Sequence, residues 1–343
     1  MKALVLTAYN HLEIQDWSCP EIAPDEVLLR VAACGICGSD IHGMDGSTGR
    51  RQPPIIMGHE AAGTIVEVGG SVRDWVAGER VTFDSTIYCG RCWYCRRGDI
   101  NLCDHRRVLG VSCDDYRRHG AFAEFVAVPQ QVLYRVPADV TFIHAALVEP
   151  LSIALHAVAR SRVALGDTAV VVGTGMIGLL VVQALRAAGC GRIYGIDVDS
   201  KRLEMACQFG ADEGFRSDTS DVLAEVLRRT CGRGADLALE VVGATATVQL
   251  AIASVRKGGQ VTLVGNLAPK VEFPLQAAVT REIAINGTCA SRGEYPACLE
   301  MIAKGRIQVA PLVSAVAPLR DGPPWFERLH RGGEGLLKVV LEP

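Results

Sequence analysis

The sequence predicts an α/β protein of two domains, a small β-rich one and a doubly wound parallel sheet flanked by helices. Three observations lead there. The 343 residues exceed what one ordinary hydrophobic core holds. Up to about residue 140 the chain alternates short β-branched runs with Gly and Pro, the texture of an irregular β-domain. From Gly166 onward the rhythm changes to strand, then helix, around Gly173-Thr174-Gly175-Met176-Ile177-Gly178.

The elements follow in chain order. Strands are expected at 27–31, 63–68, 80–83 and 122–128, each bounded by turn residues. A strand at 168–172 runs into a helix at 176–188, and a strand at 192–197 into a helix at 201–209. Further strands follow at 235–240 and 259–264. Right-handed βαβ crossovers between such strands give a parallel sheet. The tail, ending in Leu336-Leu337-Lys338-Val339-Val340-Leu341, is expected to return to the first domain as a strand.

Composition excludes several function classes. Apolar residues are 49% and charged residues 21%, which suits a globular enzyme and leaves no biased tract for disorder. A net charge of −3 gives no general attraction to nucleic acid or anionic lipid. Thirteen cysteines would mean disulfides in a small secreted chain, but Met1-Lys2-Ala3-Leu4-Val5-Leu6-Thr7 has no signal-peptide pattern, so a cytoplasmic setting is expected. Residues 168–185 carry no charge and are long enough to span a bilayer, yet three glycines interrupt them and the strand-to-helix reading is preferred.

The glycine run has the dinucleotide spacing in its proper setting, after an apolar strand and at the opening of a helix. Gly173 permits the tight turn, Gly175 lets backbone amides approach a pyrophosphate, and Gly178 allows close helix packing. Asp197 ends the next strand, where a carboxylate accepts from ribose hydroxyls and repels a 2′-phosphate; this predicts NAD rather than NADP. Met176, Ile177, Arg202, Val264 and Gly265 complete the candidate nucleotide set.

Cys89, Cys92, Cys95 and Cys103 form a Cys-x2-Cys-x2-Cys-x7-Cys cluster. A redox pair needs only one Cys-x2-Cys, and a nucleic-acid ribbon separates two pairs by roughly fifteen or more residues, so a closed structural zinc site is the better reading. A second set is sparser: Cys34-Gly35-Ile36-Cys37-Gly38-Ser39-Asp40-Ile41-His42, Gly58-His59-Glu60, and Val148-Glu149-Pro150. A thiolate, an imidazole and carboxylates can hold zinc with one position open, as a catalytic site requires. Asp40 is the candidate partner for the other ring nitrogen of His59. Arg50 and Arg51 offer guanidinium groups that either bind a substrate anion or face solvent.

This order of motifs, Cys-Gly-Ile-Cys-Gly-Ser-Asp-x-His, Gly-His-Glu, four cysteines, Glu-Pro and the glycine run with its Asp, resembles the zinc-containing medium-chain alcohol dehydrogenases over essentially the whole chain. Val148-Glu149-Pro150-Leu151-Ser152 with His156-Ala157 is most similar to the polyol branch: sorbitol, butanediol and galactitol-1-phosphate dehydrogenases, with threonine dehydrogenase nearby. The resemblance implies a GroES-like catalytic domain over 1–148 carrying the zinc lobe at 89–103, a Rossmann NAD-binding domain over 149–290, and a C-terminal segment, 291–343, that returns to the catalytic domain.

It further implies two zinc ions per chain and NAD as cofactors, with the catalytic zinc on Cys37, His59 and Glu60. Glu149 lies next to that metal, and which carboxylate binds directly is open. Cys37 rather than Cys34 is the ligand; Ser39 meets the alcohol oxygen and His42 passes its proton onward. The segment 291–295 is implied to lie near nicotinamide and substrate. The expected reaction is oxidation of a secondary alcohol of a free polyol, with a phosphorylated polyol and then threonine as alternatives, and a non-catalytic relative as the rival from another class. A homo-oligomer, dimer or tetramer, is implied through edge strands at 259–264 and 282–287.

Overall fold

The computed structural model describes residues 1–111 and 118–343. The chain divides into two compact units, Met1–Glu149 with Ser291–Pro343, and Pro150–Ala290.

The first unit is built on a seven-stranded sheet. Its path runs Leu133–Arg135, Arg80–Phe83, Glu60–Val68, Glu26–Gly35, Lys338–Glu342, Val313–Pro318, and Phe125–Pro129 also pairs with Glu26–Gly35. The central strand Glu26–Gly35 earns its place by composition: Val27, Leu29, Val31, Ala33 and Cys34 are buried. Val27, Leu29, Val31 and Cys34 pack with Ile65, Val81, Phe83, Phe122, Val128, Val339 and Leu341 in one core. The C-terminal strand lies antiparallel to it, with Val340 opposite Gly35 and Leu341 opposite Cys34. On the other side Gly35 faces Glu60. This register brings three distant pieces of chain to one point.

The second unit holds a six-stranded, all-parallel sheet. The spatial order is Glu213–Arg216, Arg192–Asp197, Thr168–Val172, Ala235–Glu240, Val255–Leu263, Ala284–Gly287. Numbered within this unit that is 3-2-1-4-5-6, the doubly wound order whose ligand crevice lies outside the carboxyl ends of the strands. The strand Thr168–Val172 is buried along its whole length, as a parallel strand covered on both faces must be. The helix that follows, Met176–Ala187, buries Gly178 and Leu179 through Leu185. The uncharged stretch 168–185 is therefore a strand, a turn and a helix, and no helix among the described residues is long and apolar enough to cross a membrane. Of the two strands expected at a free edge, only Ala284–Gly287 lies there; Val255–Leu263 pairs on both sides.

Candidate active site

The central strand ends at Gly35, and Cys37 follows as the N-cap of the short helix Gly38–Met44. Asp40, in the first turn, accepts from the Cys37 amide at 3.2 Å, which closes the turn and fixes the direction of the thiol. Gly58, at φ +92°, makes the turn that delivers His59; a side chain there would lie 2.8 Å from Cys34 Sγ and from the Phe122 amide. Glu60 then opens its strand opposite Gly35, where any Cβ would collide with the Glu60 carboxylate. Cys37, His59 and Glu60 consequently converge, each offering a ligand atom within 4.8 Å of the others.

Supporting groups fix this triad. Lys338 Nζ donates to both Glu60 oxygens, at 2.8 and 2.6 Å, and to the Ile36 carbonyl at 2.9 Å, and both charged residues are buried. Asp40 Oδ1 lies 3.3 Å from His59 Nδ1, close enough for strong charge coupling though off the line of a hydrogen bond. Arg51 Nη2 donates to the same Asp40 oxygen at 3.1 Å. Burial drives the Asp40 carboxyl up, but the His59 and Arg51 charges outweigh it and hold the group well below the usual range. His59 responds in the opposite sense: burial opposes its charge, Asp40 favours it, and its pKa ends well above that of a free imidazole. With Nδ1 against Asp40, Nε2 is the nitrogen turned towards Ser39, whose Oγ lies 3.5 Å away.

The remaining sequence candidates are placed as follows. Ser39 and His42 sit three residues apart on the exposed side of the short helix, and His42 Nδ1 is 4.0 Å from Asp45. Glu149, at the start of the helix Val148–Arg160, is outside the tight triad. Desolvation pushes its carboxyl up to about 8; the His59 charge opposes this, and Glu60 and Asp84 add to it. Arg50 is exposed, whereas Arg51 is buried and turned inward, so the pair does not form a solvent-facing anion clamp.

Several groups escaped sequence reasoning. Lys338, Arg51's inward role and Asp84 gave no local signal. Ser291 Oγ donates to Asp84 Oδ2 at 2.9 Å, and Tyr295, fully buried, stacks on Tyr134 with ring centroids 4.7 Å apart. The 291–295 segment thus packs within the first unit.

The four cysteines of the lobe also meet, with their sulfurs all within 4.8 Å of one another and those of Cys92 and Cys103 3.9 Å apart. Tetrahedral zinc with Zn–S distances near 2.3 Å sets sulfur–sulfur edges of about 3.8 Å. Backbone amides of Cys89, Cys92 and His105 point at sulfurs of the cluster. Crowding sets the thiols against each other: the Arg91 amide leads in drawing Cys89 down to about 6, while burial and then the Cys92 and Cys103 thiols push Cys95 up to about 12. A divalent cation at the centre resolves that conflict, so the donor set fits zinc.

In the second unit Gly173, at φ +94°, starts the turn. A Cβ on Gly178 would strike the Gly173 carbonyl, while one on Gly175 would meet nothing nearer than Arg202 Nη1 at 3.9 Å. Only Gly175 therefore leaves open space above it, the cradle a pyrophosphate needs. Asp197 Oδ2 accepts from the Thr174 amide at 2.7 Å and its hydroxyl at 3.1 Å, tying the turn to the second strand. Val264 and Gly265 donate to the Glu240 carbonyl just past the strand Val255–Leu263. All of these groups lie at the carboxyl ends of the sheet.

Residues 23–138 match the alcohol dehydrogenase GroES-like domain, and residues 177–304 match the zinc-binding dehydrogenase family. The chain belongs to the zinc-binding alcohol dehydrogenases. Among relatives of this dehydrogenase, sorbitol dehydrogenase of Bacillus subtilis (strain 168) is 36% identical, covering 100% of this chain and 97% of its own. D-arabitol-phosphate dehydrogenase of Enterococcus avium is 33% identical over 97% of this chain and 94% of its own. A zinc-binding dehydrogenase fold from Sinorhizobium meliloti 1021, solved bound to NADP, superimposes with a TM-score of 0.92 at 32% identity, covering 100% and 99% of the two chains. The dehydrogenase is thus an oxidoreductase that uses zinc and a nicotinamide nucleotide.

Proposed function

We propose that this dehydrogenase oxidises a secondary alcohol of a free polyol to a ketone with NAD as hydride acceptor, and that it carries two zinc ions, one catalytic and one structural. The observation that carries the reading is the convergence of Cys37, His59 and Glu60 on one point, with Asp40 and Lys338 holding the last two in place. The names of the relatives, a sorbitol and an arabitol-phosphate dehydrogenase, support the polyol class. Arg51's inward commitment favours a neutral polyol over a phosphorylated one, because it leaves Arg50 without a partner guanidinium for a bidentate phosphate clamp.

Cys37, His59 Nε2 and Glu60 are the proposed ligands of the catalytic zinc, with Glu149 as the carboxylate beside it. When bound, zinc supplies Lewis acidity that brings the pKa of a coordinated hydroxyl down to about 7, and NAD supplies the hydride acceptor. The chain's own residues do the rest. Asp40 holds the proton on His59 Nδ1 and so leaves Nε2 as a donor of electron density. Ser39 contacts the alcohol oxygen, and His42, exposed one helical turn on, hands its proton to solvent. Gly173, Gly175, Met176, Ile177 and Gly178 cradle the pyrophosphate, Val264 and Gly265 border the nucleotide, and the Asp197 charge, flanked by Arg202, disfavours a 2′-phosphate. Cys89, Cys92, Cys95 and Cys103 hold the structural zinc.

Two further readings complete the proposal. A cytoplasmic setting, where the thiols of both clusters stay reduced, belongs to the same reading. The free edge of Ala284–Gly287 suits pairing with a second copy in a homo-oligomer. The test is metal analysis combined with an absorbance screen for NADH across polyols, polyol phosphates and threonine. The expected result is about two zincs per chain and turnover of unphosphorylated polyols with NAD. Turnover confined to phosphorylated polyols or threonine would replace the substrate; no turnover with any alcohol would remove the enzyme reading.

A further inference from the structure

One guanidinium nitrogen serves two neighbours in the first turn of the short helix. Arg51 Nη2 donates to Asp40 Oδ1 at 3.1 Å and to Ser39 Oγ at 3.3 Å. Arg51 is 3% exposed, and its stem runs across Gly43, where any Cβ would collide with it. The absence of a side chain at 43 is what admits the arginine. Its Asp40 partner is fully buried and also accepts from the Cys37 amide, so the guanidinium has little freedom to leave.

A guanidinium has no lone pair to offer and cannot be deprotonated in a protein. It can only donate. When Arg51 donates to Ser39 Oγ, it occupies one lone pair of that oxygen, and the hydroxyl proton has to point elsewhere. Ser39 Oγ is also 3.5 Å from His59 Nε2, which sets it beside the point where Cys37, His59 and Glu60 converge.

We propose that Arg51 is a positioning residue that sets the polarity of the Ser39 hydroxyl, turning it into a hydrogen-bond donor towards the substrate oxygen. A substrate oxygen is met by Ser39 as an acceptor, which favours the carbonyl and the anionic oxygen that precedes it over the neutral alcohol. The inference rests on the reading of this site as an alcohol-oxidising centre and adds to it the hydrogen-bond direction at Ser39.

The test is a double-mutant cycle between Arg51→Lys and Ser39→Ala. Lysine keeps the charge that Asp40 needs but ends one atom short of the Nη2 position that reaches both neighbours, so the fold and the metal are expected to survive where Arg51→Gln risks both. In the Ser39 background Arg51→Lys should lower kcat about tenfold or more, with zinc content and KM for NAD unchanged. In the Ser39→Ala background the same substitution should leave kcat unchanged. Equal losses in both backgrounds, or none in either, would overturn the proposal. A second readout needs no turnover: in the protein as isolated, the Arg51 Nη ¹H–¹⁵N resonance should be protected from solvent exchange and should shift in Ser39→Ala, since Ser39 Oγ is one of the two acceptors of that nitrogen. A resonance indifferent to Ser39→Ala refutes the role of Arg51. Failure of the wild-type protein to oxidise any alcohol would instead strike the function reading, not the Ser39 contact that the resonance reports.

Discussion

Burying a carboxylate costs several kcal/mol unless an opposite charge accompanies it, and each buried acid near the triad solves this differently. Glu60 has the Lys338 ammonium on both oxygens, and Asp40 has Arg51 and His59. Asp84 has neither. It is buried, accepts from the Thr86 amide at 2.8 Å and from the Ser291 hydroxyl at 2.9 Å, and no cation among the described residues pairs with it. Desolvation therefore raises its pKa from 3.8 to about 6, although the Thr86 and Ser291 contacts work against the shift. The sign of the consequence follows from linkage. A folded-state pKa above the unfolded value means the folded protein favours the protonated acid, so the associated stability is present below about pH 4 and lost as pH rises through about 6. Asp84→Asn keeps an acceptor for Thr86 and removes the charge. Its unfolding free energy should gain on the wild type by up to about 3 kcal/mol between roughly pH 4 and pH 7, as read from urea midpoints at both pH values. A wild-type-to-variant gap that stays constant with pH would show that Asp84 does not carry a buried charge in the folded state.

At the scale of elements, the four-cysteine lobe is a segment with little core of its own. Its helix, Trp93–Arg96, is one turn long and buries no residue, and Trp93 is largely exposed. Cation–π stacking of Arg97 on Trp93 and the Arg97–Asp99 ion pair lie at the surface, where such contacts contribute little. On the proposal that its four thiols hold zinc, the metal's binding energy is folding energy for the lobe. Cys92→Ala should lose one zinc per chain and lower the thermal midpoint on the order of 10 °C, while the second zinc remains; a stable, fully folded but inactive variant would contradict a structural role. This lobe was readable from the sequence because its ligands lie within fifteen positions of one another and spacing alone decides whether they can meet. Lys338 was not, since 278 residues separate it from Glu60 and only the sheet register aligns them. Arg51 was misread for a different reason. Sequence gives a pair of arginines but not which one turns inward, and the cue, Gly43 clearing space for the stem, has meaning only once the helix is built.

For the whole molecule, the strand-and-helix rhythm carried the doubly wound sheet, but the strand Glu213–Arg216 and the helices Val222–Arg229, Thr245–Ser254 and Leu275–Thr280 escaped. The edge strand Glu213–Arg216 buries only Phe215, too little apolar pattern to announce a strand, and the helix Thr245–Ser254 is apolar on nearly every side, which erases the helical period. The strand expected at 259–264 begins earlier, at Val255, which pairs with Ala235 ahead of a register shift that passes over Lys257-Gly258-Gly259. What the completed fold adds is a division of labour. Both metal-type clusters belong to the unit Met1–Glu149 with Ser291–Pro343, and the glycine turn belongs to Pro150–Ala290. A ligand that binds only the folded state stabilises the segments it touches, so the two cofactors should leave separate footprints in amide hydrogen exchange. Chelation should speed exchange about tenfold or more in residues 37–60 and 89–103 while the buried strand Thr168–Val172 keeps its protection. NAD added to the chelated protein should slow exchange in residues 173–178 and at the Val198 and Asp199 amides that Asp197 accepts. If chelation instead deprotected the six-stranded sheet, or NAD protected only the metal segments, the assignment of zinc to one unit and nucleotide to the other would be wrong.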